Sequence, residues 1–227
     1  MSSVSVRNAI EYPESDGKPM GETDLHRDWM VRLLEVFRQR YAGQQVYIAS
    51  DLLLYYVEGT PAKYVVPDCF VVLNCDPQRR RTFQTWKEGR VPDVVFAVTS
   101  RSTSSVDYID KLAIYEQIGV QEYFLYDPTA EYLEPPLQGY RLTNGELHAI
   151  PTMGGRIRCN MLGVDLFLDE SGLVIVDSET GIEQLPKADS EALARQREQV
   201  ARIAAENRVR QLEEELRRVR HRESRGD

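Results

Sequence analysis

The sequence predicts an α/β domain with a mixed central sheet flanked by helices, and three stretches carry that prediction. "PDVVFAVTS" followed by "SVDYIDKLAIYEQIG" and "VQEYFLYDP" gives strand, helix, strand, the unit that builds a parallel pair. "ETDLHRDWMVRLLEVFRQRY" has helical apolar spacing. "GYRLTNGELHAI" places Asn144-Gly145 between two alternating runs, a strong hairpin signal.

In chain order, a polar lead over 1–20 precedes the first helix. Thr23 or Asp24 is placed to cap it, and Leu25, Trp29, Leu33 and Phe37 (or Val36) share its apolar face. "QQVYIASDLLLYYVEG" then supplies one or two short strands ending at Glu58-Gly59. "KYVVPDCFVVLN" reads as a strand in which Val66, Asp68, Phe70 and Val72 share a face by the period of two. Asp68 therefore lies on an otherwise apolar face.

The basic stretch "QRRRTFQTWKEGR" leads into the strand at 92–100. There Asp93, Val95, Ala97 and Thr99 point one way, and Val94, Phe96 and Val98 the other. Two largely apolar faces mark a central strand covered on both sides. Gly119 closes the following helix. After the hairpin, "VDLFLDESGLVIVDSETGIEQL" adds two short strands around Gly172 and Gly181. From Asp189 to about Glu223 the chain lacks Gly and Pro and reads as one long helix. Val209, Leu212, Leu216 and Val219 have heptad spacing there, which fits a short coiled coil or a charged, solvated helix equally. The division is a lead over 1–20, a main domain over 21–188 with a β appendage, and a helical tail over 189–227.

Composition narrows the class. Hydrophobic residues make up 42% and charged residues 28%, as in ordinary soluble domains. No apolar run is long enough for a membrane span and the start lacks a secretory pattern, so the reading is cytoplasmic, with no membrane partner. Cys69, Cys75 and Cys159 have no CxxC spacing and read as buried thiols, not as a zinc or disulfide framework. The net charge of -8 argues against a protein that coats nucleic acid by charge alone.

Two residues invite a chemical role. A carboxylate at position 68 between apolar neighbours must be paired, capped or metal-bound to offset its desolvation, and a turn cap after Pro67 explains it equally well. Lys111, early in the helix after the central strand, is ordinarily a solvated lysine. Two strand acids and a lysine together would form a Mg²⁺ site of the phosphodiester-cleaving kind.

"VVPDCFVV", "PDVVFAVTSRST" and "DKLAIYEQIGVQEYFLYDP", in that order, resemble the Uma-two family of restriction-endonuclease-like proteins, of the PD-(D/E)XK nuclease superfamily, common in cyanobacteria. The resemblance spans roughly Gly21 to Leu142, and "LEPPLQGYRL" and the Arg/Glu-rich tail also match. It implies a restriction-endonuclease-like core and a Mg²⁺-dependent DNA endonuclease, with Mn²⁺ as a substitute metal. Asp68 is similar to the family's metal-binding Asp, and position 97 matches its second acid. Lys111 corresponds to a lysine that would otherwise fall at Thr99. Glu22, His26 and Asp51 match positions near the site.

This chain departs from the pattern at the second acid, where Ala97 stands in place of a glutamate. An alanine methyl cannot replace an oxygen ligand, so the expectation is an inactive or weakened enzyme. Arg79, Arg80, Arg81 and Arg101 are candidates for phosphate contact, against loop solvation or local ion pairs. The alternative is a non-catalytic protein on the same scaffold that binds nucleic acid or forms a homodimer, with the tail contributing.

Overall fold

A computed structural model describes residues 10–15, 17, 23–100 and 105–223, which fall in two units, 1–184 and 185–227. In the first unit, helix α1 spans Asp24–Arg40. Thr23 is its cap: its side-chain oxygen accepts the His26 N–H at 3.2 Å, while Arg38 and Arg40 sit in the last turn, where the helix dipole favours cations. Its buried stripe runs through His26, Leu33, Val36 and Phe37. Leu25, expected on that stripe, is 43% exposed. At 100° per residue the stripe centres near His26, Leu33 and Phe37, which leaves Leu25 at its margin in the first turn.

Six strands form the main sheet: β1 (Val46–Ala49), β4 (Cys69–Leu73), β6 (Val94–Val98), β7 (Glu122–Tyr126), β8 (Leu137–Thr143) and β9 (Glu146–Ala149), in that spatial order. Within this sheet β6 and β7 are the parallel pair, joined through the crossover helix α3 (Ser105–Ile118), as the sequence predicts. Gly119, at φ +91°, ends that helix. The Asn144-Gly145 hairpin forms with both residues at positive φ, and it continues the main sheet as its outer edge.

The stretch read as one strand over 63–74 is two. Tyr64–Val65 (β3) joins Leu54–Tyr55 (β2) and Phe83–Gln84 (β5) in a small second sheet, and Pro67 separates it from β4. A proline offers no ladder N–H and holds its predecessor extended, so the chain changes sheets there. The four-residue helix α2 (Thr85–Glu88) follows β5.

Both faces of β6 are covered. Val94, Phe96 and Val98 pack with Leu33, Val36 and Phe37 of α1. Val95 and Ala97 pack on the other side with Tyr115 of α3, Phe70 and Tyr123. The three cysteines are free and buried, as expected.

A meander of β10 (Ile157–Cys159), β11 (Val164–Asp169) and β12 (Gly172–Asp177) packs into the α1-side core. No full strand follows Gly181; Glu183 makes a single bridge to Val176. Two carboxylates, one buried and one half-buried, tie this region down. Glu122, 1% exposed, accepts from Arg141 Nε (2.7 Å), Cys159 Sγ (3.0 Å), and the Asn160 and Met161 amides (3.1 and 3.0 Å). Asp177 pairs with Arg40 at 2.9 Å, and Arg40 also donates to the Leu162 and Gly163 carbonyls.

Asp127 organises the loop after β7 by accepting the Thr129, Tyr132 and Leu133 amides and the Thr129 hydroxyl. Burial raises its pKa, but these bonds outweigh burial and hold the carboxyl below its ordinary value of 3.8. A depressed folded pKa means stability that is present above about 3.8 and lost as pH falls through the folded value. Thermal unfolding of the protein beside Asp127→Asn should show a midpoint gap at neutral pH that narrows once pH drops below that value. A gap independent of pH would refute the assignment.

In the second unit, α4 spans Lys187–Glu223 as the sequence predicts. Lys187–Glu191, Arg195–Glu191 and Arg202–Glu206 are four-apart ion pairs along it.

Candidate active site

The chain's change of sheet at Pro67 puts Asp68 just before β4, where its neighbour Cys69 is already paired with Phe96 of β6. Asp68 extends that pairing with its side chain, as Oδ2 accepts the Val98 N–H at 2.7 Å. The carboxylate is thus fixed beside residue 97. On its other side, the Ser50 hydroxyl donates to the Asp68 carbonyl at 2.6 Å and the Asp51 N–H to the Pro67 carbonyl at 3.2 Å. Asp51 adopts φ +52°, a left-handed conformation that aspartate tolerates. From α1, the buried His26 brings Nε2 to 3.5 Å from Asp68 Oδ2.

Residues from four separate segments therefore meet at one end of the sheet: His26, Ser50-Asp51, Asp68 and Ala97-Val98. Thr99 follows directly, 2% exposed, with its N–H bonded to the Tyr126 carbonyl at 2.7 Å. Its hydroxyl has no hydrogen-bond partner among the described residues. Lys111 is half-buried on α3, the helix that covers the Ala97 face through Leu112 and Tyr115. Asp93 anchors the opposite end of β6, where its Oδ2 accepts the Leu73 amide at 2.7 Å; burial raises its pKa.

Glu22 and Arg101 lie outside the described residues. Arg79, Arg80 and Arg81 occupy the loop between β4 and β5. Arg80 is committed internally, with two bonds to Glu88 at 2.8 and 2.9 Å, two to the Asp76 and Gln78 carbonyls, and its guanidinium 4.2 Å from the Tyr47 ring centre. Arg81 pairs with Glu14, and Arg79 is exposed.

A divalent metal does not fit the described residues as they stand. None of them form a group of three or more His, Cys, Asp or Glu placed to hold an ion. Hard cations take oxygen ligands, and beside Asp68 the neighbouring strand offers the buried methyl of Ala97.

Sequence reading missed the Glu122 clamp. Its signal was the one that drew attention to Asp68: Glu122 shares a strand face with Phe124 and Tyr126, both in the α1-side core.

A mixed sheet with α1 on one face, the α3 crossover on the other, and an acid at the junction of β4 and β6 is the α/β arrangement that the sequence resemblance implies. The chain belongs to the Uma2 family, described as "putative restriction endonuclease", whose model matches residues 7–162. Five chains of solved structures match. One is the crystal structure of a "putative nuclease belonging to DUF820" from Anabaena variabilis, 15% identical, with a TM-score of 0.47, covering 64% of this chain and 76% of that one. Curated proteins give no match. Among the described residues no helix is long and apolar enough to cross a membrane.

Proposed function

We propose that this chain carries the scaffold of a Mg²⁺-dependent DNA endonuclease, acting in the cytoplasm, whose hydrolytic activity is lost or severely weakened at Ala97. The observation that supports this best is the bond from Val98 N–H to Asp68. It fixes one acid beside the position where the family pattern places the second. Phosphodiester hydrolysis needs the charge on the phosphate neutralised while a water attacks. In this reading Asp68 is the surviving ligand, and Lys111 would stabilise charge on the phosphate. With a methyl at 97, no metal-assisted step follows from the residues present. The test is cleavage of plasmid DNA with Mg²⁺ or Mn²⁺ by this chain beside Ala97→Glu.

A second reading is a non-catalytic scaffold that pairs with a second copy through its tail. In its favour, α4 exposes Val200, Ile203, Val209 and Leu212, by 61, 46, 55 and 43%. Such a helix gains by covering apolar side chains. Light scattering on the full chain should give a dimer mass that falls to a monomer when 185–227 are deleted. An oligomeric state unaltered by the deletion would remove the tail from consideration.

A further inference from the structure

Strand β1 is the end strand of the main sheet: it pairs with β4 along one edge, and no described strand pairs with the other. In an antiparallel pair, alternate residues turn both N–H and C=O away from the partner, so a four-residue end strand presents both donors and acceptors outward, although here the Val46 N–H is bonded to the Gln44 carbonyl at 2.9 Å. That edge forms the floor of an open groove of about 620 Å³. One wall is the C-terminal half of α1, with Leu34, Arg38 and Tyr41; the other carries Leu52, Pro77 and Arg79. Leu34 and Tyr41 pack with the core on one face of the sheet, and Leu52 with the core on the other. Arg38 and Arg79 are exposed, and the groove's lining contains no Asp or Glu.

We propose that the β1 groove binds an extended acidic peptide, which adds to the main sheet as a seventh strand. The argument rests on matching each surface to an occupant. A strand edge offers N–H and C=O in alternation, and an extended peptide satisfies both. A nucleic-acid backbone supplies acceptors to the N–H groups but sets its anionic oxygens against the carbonyls. A second copy docking β1 against β1 would bring the same arginine-bearing walls together, and like charges in an interface are costly.

Side chains of an added strand alternate between the walls, and each wall offers apolar surface plus one exposed arginine, the third lining arginine, Arg80, being bonded to Glu88. The preferred sequence therefore carries an apolar pair between two acidic pairs, so that each wall receives one apolar residue with an acidic one on either side of it. This inference does not depend on the nuclease reading, because it uses neither Asp68 nor position 97.

The probe is a fluorescein-labelled Glu-Glu-Val-Val-Glu-Glu peptide, beside its Lys-for-Glu counterpart and a labelled oligothymidylate, read by anisotropy against the full chain. The acidic peptide should bind about tenfold or more tightly than the basic one, and the Arg38→Glu/Arg79→Glu variant should reverse that order. N-methylation of alternate amides in the probe keeps its charge but removes donors on one edge. One of the two methylation registers should abolish binding, and hydrogen exchange at residues 46–49 should slow only with the unmodified peptide. Binding that tolerates both registers would reduce the groove to a charge patch and overturn strand addition. Tighter capture of oligothymidylate, lost in the same variant, would assign the groove to nucleic acid instead. A concentration-dependent dimer with protected β1 amides would assign it to a second copy, and no binding of the acidic peptide would end the proposal.

Discussion

Ala97→Glu is expected to gain Mg²⁺ and Mn²⁺ binding detectable by calorimetry, together with a rise of about a hundredfold or more in DNA cleavage over the unmodified chain. The expectation follows from where residue 97 sits. Its neighbour Val98 donates to Asp68 at 2.7 Å, so a carboxylate at 97 would join an acid already held in place. The substitution has a cost, because Ala97 is 4% exposed among Phe70, Val95 and Tyr115. A larger side chain there should destabilise the fold by about 1–3 kcal/mol through overpacking. Ala97→Gln separates size from charge: it adds the same bulk without the carboxylate and should show neither binding nor cutting. A folded Ala97→Glu protein that does neither, on DNA and RNA alike, would sink the endonuclease reading. Adding Asp68→Ala to the Ala97→Glu chain should abolish both gains, since it removes the anchored acid.

Glu122→Ala is expected to produce the largest loss of stability, about 3–5 kcal/mol in chemical denaturation. The carboxylate accepts from a guanidinium, a thiol and two backbone amides, all within 3.1 Å. Deletion leaves the Arg141 charge without its acceptor and two amides of the turn after β10 without theirs. Burial, the Glu122 carboxylate and the bond to it together keep the Cys159 thiol protonated, with its pKa well above the ordinary value. Near-neutral stability of Glu122→Ala would show that water replaces the carboxylate and that the clamp contributes little.

Much of this fold was legible because its signals are local. The two apolar faces of 94–98, the Gly119 stop and the following apolar run specify strand, helix and parallel strand without reference to the rest of the chain. Asn144-Gly145 likewise forces its hairpin through its own backbone preferences. The family match over 7–162 agrees with the resemblance read from three short segments. Asp68 and Ala97 could be read together only through that resemblance, since the whole β4–β6 connection separates them in the chain.

Other features needed the assembled molecule. Periodicity put Asp68 on a strand face but not where its carboxylate goes; the switch of sheets at Pro67 turns it toward the Val98 amide and His26. Leu25 has the apolar character of the α1 stripe, yet it lies at the margin of that stripe in the first turn and stays exposed. Arg80 reads as one of three equivalent arginines, and only packing joins it to Glu88 and the Tyr47 ring.

The sequence by itself determined the order and type of the main elements and the long final helix, because backbone preference and side-chain chemistry belong to each residue. Tertiary structure alone decided which acids are clamps, which arginine is bonded within its own loop, and that β1 lies at an open edge. Those properties depend on distances between segments far apart in the chain, and such distances exist only once the sheet is built.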